Sequence, residues 1–252
     1  MRAGILHRDL SLTNIMYRIV REKNSAGVVE EKVCGVLTDF DLASWTEDLK
    51  RDDGKMSQAT GTPPFMACEL LRGSDAQHLY RHDLESLFYV MLILATRYEI
   101  RLPTSEEEGG LRMRQGLKEL PYQRWFDQPS YETLGCIKRS FLSRLKDPDL
   151  SPAFEDFRDW LKRLHLSFAR GVSARWAHEL SIFLRQHPDD ESENEDPSDE
   201  GASEFDYETL KGHVDYSALV DPVRRLKGKL EGLIIRYDPS LSISTVQTDS
   251  SR

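Results

Sequence analysis

His7-Arg8-Asp9-Leu10-Ser11-Leu12-Thr13-Asn14 is the stretch on which the reading of this chain turns. It sets a carboxylate and a carboxamide five residues apart in a polar run, and the residues before it read as a helix end. The following Asn14-Ile15-Met16-Tyr17-Arg18-Ile19-Val20 is rich in β-branched and aromatic side chains and predicts a strand. A polar loop from Arg21 to Lys32 contains Gly27. Val33-Cys34-Gly35-Val36-Leu37-Thr38 then predicts a second strand that runs into Asp39-Phe40-Asp41. Two short strands and a glycine-containing loop make a β-hairpin over 14–38, with acidic residues at both ends.

Outside this region the pattern is mainly helical. Residues 82–97 carry Leu84, Leu87, Phe88, Met91, Leu92 and Ala95 at helical spacing and are apolar nearly all round, which predicts a buried helix. Asp83 at its start is placed to satisfy orphan N–H groups. Residues 42–60 read as a mobile loop. Residues 98–120 read as loop with a short helix, broken at Gly109-Gly110. Further helices are expected at 131–146, at 152–168 behind Ser151-Pro152, and at 174–187 behind Ser173. The run 189–204 is dense in acid without apolar periodicity, so burial cannot offset its ordering entropy. Val220, Val223, Leu226, Leu230, Leu233, Ile234 and Tyr237 predict an amphipathic helix with basic residues on its other faces.

Composition narrows the function. At 252 residues the chain can bury one large core. A net charge of −9 argues against broad binding to nucleic acid or to an anionic membrane. The three cysteines, Cys34, Cys68 and Cys136, have neither zinc-like spacing nor a disulfide framework and suit a reducing compartment. The segment before His7 is too short for a signal peptide, and Leu87–Ala95 is about half a membrane span. The expectation is an intracellular protein, cytoplasmic or nuclear, with no membrane and no nucleic-acid partner; its oligomeric state is open.

Four further signals follow the opening stretch in order. They are Leu37-Thr38-Asp39-Phe40-Asp41-Leu42-Ala43, then Gly61-Thr62-Pro63-Pro64-Phe65-Met66-Ala67-Cys68-Glu69-Leu70-Leu71, then His82-Asp83-Leu84-Glu85-Ser86-Leu87, and the spacing itself. Thirty residues separate Asp9 from Asp39, and thirty separate Asp39 from Glu69. On these residues the chain resembles the C-terminal lobe of eukaryotic protein kinases, and most of all the fungal-type protein kinase family. His7 to Asn14 fits the catalytic-loop pattern H-R-D-x-x-x-x-N.

The resemblance implies a mainly α fold with a small β-hairpin, the N-terminal β lobe being absent. The resemblance covers a lobe at 1–187, beyond which composition and periodicity predict an acidic disordered linker at 188–205, an amphipathic C-terminal helix at 206–238 and a flexible tail at 239–252. It implies transfer of phosphate from ATP, with Mg2+, to Ser or Thr hydroxyls of a protein substrate. Asp9 would orient and deprotonate the hydroxyl; Asn14 and Asp39 would give oxygen ligands to magnesium. His7 would support the loop backbone, and Phe40 completes the Asp-Phe pair. Arg8 would hold a phosphate on the mobile loop, where Ser44, Thr46, Ser57 and Thr60 are candidate phosphosites. Thr62 would bond near Asp9, Asp83 would tie the buried helix to the catalytic loop, and Glu69 would pair with a later arginine, Arg158 or Arg163.

Some positions depart from the kinase pattern. Ser11 stands where a lysine usually steadies the moving phosphate. Asp41 replaces a glycine and so would strain the backbone, and Cys68 replaces a proline and so would loosen its turn. No Gly-x-Gly-x-x-Gly and no Val-Ala-x-Lys strand occur in the chain. Phosphoryl transfer is nearly all positioning, so the chain is expected to be inactive alone. The alternative reading is a pseudokinase-like module that binds a protein partner without catalysis.

Overall fold

Apolar side chains on every face of one helix decide the architecture. That helix, α1 (Tyr80–Arg97), lies at the centre of the molecule, with Phe88, Tyr89, Leu92 and Ile93 almost wholly buried. Each such side chain contributes roughly 2–3 kcal/mol of burial. The computed structural model describes residues 4–23, 25, 27–47, 60–72, 77–101, 109–127, 130–187 and 204–221. The N-terminus of α1 is closed by a reciprocal pair. Leu79 N–H donates to His82 Nδ1 at 3.0 Å, and His82 N–H donates to the Leu79 carbonyl at 2.9 Å. Asp83 therefore does not cap its own helix; its carboxylate is engaged elsewhere.

Three two-stranded antiparallel sheets precede and follow α1. β1 (Ile5–Leu6) pairs with β4 (Ser44–Trp45), so Ile5 and Leu6 form a strand rather than a helix end. β2 (Ile15–Lys23) and β3 (Val29–Leu37) form the expected hairpin, with strands longer and a connecting loop shorter than the sequence suggested. β5 (Tyr98–Arg101) and β6 (Gly110–Met113) form a hairpin in place of the loop and helix expected over 98–120. Tyr98 turns straight from helix to extended backbone, and the Arg114 side chain binds the Thr96 carbonyl beside it.

The remaining helices pack around α1. α2 (Arg124–Asp127) is one turn, and α3 (Tyr131–Leu142) is capped by Ser130 Oγ, which accepts from Thr133 N–H at 3.4 Å. A 3-10 helix (Pro152–Phe157) leads into α4 (Arg158–Gln186), a single helix of 29 residues, about 44 Å long. The expected break at Ser173 does not exist. Ser173 lies mid-helix, and Gly171 nearby serves packing: a Cβ there would meet Leu210 at 2.8 Å. Leu210 belongs to the segment 204–221, which returns to the same core. Arg81 Nε donates to the Tyr207 carbonyl at 2.7 Å, and Trp160 Nε1 to the Leu219 carbonyl at 2.9 Å. That segment is turns up to residue 215 and helical only from 216, later than the expected start at 206. The acidic run 188–203, residues 222–252 and residues 48–59 of the expected loop 42–60 lie outside the described residues.

Candidate active site

Asp9 sits where three elements meet. It follows β1, precedes the 3-10 turn Leu12–Asn14, and faces the segment 61–71. Its Oδ1 accepts two bonds from Thr62, one from N–H and one from the hydroxyl, each 2.8 Å. Asn14 Nδ2 donates to the Asp9 carbonyl at 2.9 Å and reaches Oδ2 at 3.3 Å. The carboxylate is thus fixed on one side, and Oδ2 keeps lone-pair capacity for another group.

The loop that carries Asp9 hangs from α1. Asp83 accepts from His7 N–H at 2.7 Å and from Arg8 N–H at 3.1 Å, and His78 Nε2 lies 2.9 Å from the same carboxylate. Burial pushes the Asp83 carboxyl up, but His78 and the two backbone donors outweigh it and hold it below the usual carboxylate range. The His7 ring is buried and bridges outward. Its Nδ1 accepts from Asp9 N–H, so Nε2 carries the proton and donates to the Thr38 carbonyl at 2.9 Å. Phe40 packs on that ring at 4.9 Å and is half exposed. Asn14 in turn accepts from Thr38 N–H through its own carbonyl at 3.0 Å. Thr38, to which sequence alone gave no role, therefore ties the stretch before Asp39 to the loop 7–14.

Two non-glycine residues here have left-handed backbones, Arg8 at φ 69° and Asp39 at φ 61°. Such angles cost of order 1–3 kcal/mol and persist only where the surroundings impose them. The expected strain at Asp41 falls on Asp39 instead. The Asp39 carboxylate is exposed and has no partner among the described residues. Asn14 Oδ1 has one long contact, 3.4 Å from Thr13 Oγ1. An all-oxygen set with spare lone pairs suits a hard divalent cation. Among the described residues no group of three or more His, Cys, Asp and Glu gathers as a metal cluster. Ser11 is buried, and its hydroxyl meets Thr13 Oγ1 at 2.8 Å.

Arg8 points at the far side of the loop. Its Nη1 donates to Ser44 Oγ at 2.9 Å, its Nη2 to Thr60 Oγ1 at 3.3 Å, and its Nε is buried without a partner. Thr46 is backbone-bonded to Gly4, and Ser57 lies outside the described residues. Gly61 makes the tight approach possible: φ is +132°, and a Cβ would meet Met66 Cγ at 3.0 Å and the Arg8 carbonyl at 3.1 Å.

Glu69 pairs with Arg81 and Arg175, not with Arg158 or Arg163. Arg158 instead forms a fork with Glu155 on its own surface. Burial pushes the Glu69 carboxyl up, but the His82 hydrogen bond and the Arg81 charge win and hold it well below the usual range. His82 is wholly buried, which drives its pKa down to about 3. It is neutral, with Nδ1 taken by Leu79 N–H and Nε2 facing Glu69 at 3.4 Å. Nor does Cys68 loosen its turn: its N–H, which proline would lack, donates to Glu85 Oε1 at 2.7 Å.

Catalytic loop, hairpin, Asp-Phe pair, Thr62 segment and buried helix all fall within one match. Residues 1–95 match the family described as fungal protein kinase. Over those residues the chain is similar to that family. Among curated proteins, the chain is similar to serine/threonine-protein kinase 33 of Mus musculus, at 28% identity over 202 residues. That alignment covers 78% of this chain and 37% of the relative, so the chain spans little more than a third of that kinase. No solved structure matches the chain. The match takes in all of α1 but its last two residues, and α2, α3 and α4 lie beyond it. Among the described residues no helix is long and apolar enough to cross a membrane.

Proposed function

We propose that this chain is the substrate-side half of a protein serine/threonine kinase. Asp9 orients the hydroxyl of a protein substrate and takes its proton as phosphate arrives from ATP. The observation that carries the reading is the pair of hydrogen bonds that Thr62 N–H and Thr62 Oγ1 donate to Asp9 Oδ1, which leaves Oδ2 the freer oxygen. Asn14 and Asp39 would hold Mg2+, which would neutralise charge on the phosphates when bound. The similarity to a mouse serine/threonine kinase supports the choice of Ser and Thr as acceptors. Arg8, with its unpartnered Nε and its contacts to Ser44 and Thr60, is suited to grip a phosphate on either hydroxyl.

Donors for the ATP phosphates are the missing half of the chemistry. The chain carries no glycine-rich loop or lysine-bearing strand in its sequence. The 252 residues alone are therefore expected to transfer phosphate poorly and to gain no thermal stability from Mg-ATP. A clear stabilisation that disappears in Asp39→Ala would overturn that expectation. The test of the catalytic reading is activity when an ATP-binding kinase lobe is supplied ahead of residue 1. Asp9→Asn should then lower turnover by about 10²–10⁴-fold while leaving the fold intact. Equal activity in Asp9→Asn would favour the binding module without catalysis.

A further inference from the structure

Lys138 is a lysine with no exposed surface. It projects from α3 into the core, and its Nζ donates to the Met66 carbonyl at 2.6 Å and to the Pro63 carbonyl at 3.2 Å. The rings of Tyr89 and Trp125 flank the ammonium at 4.2 and 5.1 Å. From α1, Glu85 reaches the same segment from its other end. Its Oε1 accepts from Cys68 N–H at 2.7 Å and from the Tyr89 hydroxyl at 2.6 Å. Two buried ionisable side chains, from two helices, thus satisfy three backbone groups of residues 63–68. A solvent-facing loop rarely has its backbone held this way, because burying each ion costs several kcal/mol unless geometry repays it.

The gripped stretch begins one residue after Thr62. Phe65 N–H and Met66 N–H both donate to the Thr62 carbonyl, at 2.9 and 3.1 Å. The chain of contacts runs without a gap from Lys138 to Met66, from Met66 to Thr62, and from Thr62 to Asp9. We infer that Lys138 and Glu85 form a buried clamp that sets the position of the segment 62–68 and, through Thr62, the orientation of Asp9. They are positioning residues for the transfer reaction, and this role rests on the reading of Asp9 given above. Cys68 is part of the device, since a proline there would leave Glu85 without its backbone donor. The groups facing Lys138 are Glu85 and Tyr89 from α1, Cys68 from the gripped segment, and the Trp125 ring from α2. Burial drives the Lys138 pKa down to about 7, opposed by Glu85 and Cys68, and the amine keeps enough N–H groups to serve both carbonyls in either protonation state.

The clamp is tested by amide hydrogen exchange on the full chain, comparing the parent with Lys138→Met. Methionine keeps the unbranched shape and removes the charge and both donors. Exchange at Thr62, Met66 and Cys68 should speed up about tenfold, with Phe88 and Leu92 of α1 as protected as before. Unchanged exchange at Thr62 and Cys68, or an equal rise through α1, would overturn the inference. The second measurement needs no variant. In the parent, at a pH below the Lys138 pKa of about 7, the ammonium should give a slowly exchanging 15Nζ resonance separate from the surface lysines, and its merging with them would count equally against the clamp. Exchange at Thr62 reports the clamp whether or not Asp9 acts as a base, whereas the Asp9→Asn activity assay reports the base alone.

Discussion

The segment 61–71 and the β2–β3 hairpin flank the same loop, yet they are held in opposite ways. The segment is fastened by side chains distant in sequence: Asp9 to Thr62, Lys138 to Pro63 and Met66, Glu85 to Cys68, Arg81 and Arg175 to Glu69. The strands of the hairpin pair with each other over nine registered positions, and Met16, Tyr17, Ile19, Val33 and Leu37 remain exposed. A two-stranded hairpin on its own is marginal in water. The difference separates a region whose geometry is over-determined by the core from one whose geometry is local. Residues that must hold a reacting group to a fraction of an ångström belong in the first kind.

Acid should break the anchored region first and most. Unfolded His82 takes a proton near 6.5, whereas the folded residue does so only at about 3. The unfolded state thus binds more protons in between, so stability is full above pH 6.5 and falls as pH drops toward 3. Each unit of that gap is worth about 1.4 kcal/mol. Glu69 and Asp83, both held below their usual range, add losses as pH falls below about 4. Lys138 acts at the other end: its folded pKa is depressed, so stability gains as pH rises from about 7 toward 10. Urea unfolding across pH should show this rise, and a flat profile from pH 7 to 4 would contradict it.

Asp83→Ala comes next. It removes the acceptor of two backbone N–H groups and of His78, and should cost about 3 kcal/mol by denaturant unfolding. Gly61→Ala should cost about 1–3 kcal/mol, because the new Cβ meets Met66 and the Arg8 carbonyl at an unfavourable φ. Thr62→Val should cost about 1 kcal/mol of stability, one hydroxyl bond, and in the protein supplied with an ATP-binding lobe should lower phosphoryl transfer by more than that energy accounts for. Tyr17→Ser and Val33→Ser on the hairpin should shift stability by less than about 0.5 kcal/mol. A hairpin change as costly as Asp83→Ala would erase the contrast.

Sequence made the site legible where chemistry needs fixed residue types at fixed order. His7, Asp9, Asn14, Thr62 and Asp83 meet because each lies in a motif that reads on its own. Pairings set by tertiary approach left no such trace. The partners of Glu69 depend on how α4 crosses α1, and Arg175 lies in a stretch that reads as the start of a separate helix. That helix is continuous because Gly171, which lowers helix propensity, is wanted for the close approach of Leu210. Lys138 lies in no sequence motif, and only the packed core reveals that its face of the helix is the buried one. The hairpin of β5 and β6 was hidden because Glu99, Arg101 and Arg112 leave its short strands without an apolar run.

The central claim is that catalytic loop and segment 61–71 form one unit with α1, while the hairpin does not. Amide hydrogen exchange on the unmodified 252-residue chain tests it most directly. The account predicts that the N–H groups of His7, Arg8, Thr62 and Cys68 exchange as slowly as the core of α1, and that those of β2 and β3 exchange well before them. Hairpin amides as slow as α1, or Thr62 and Cys68 as fast as the hairpin, would contradict it.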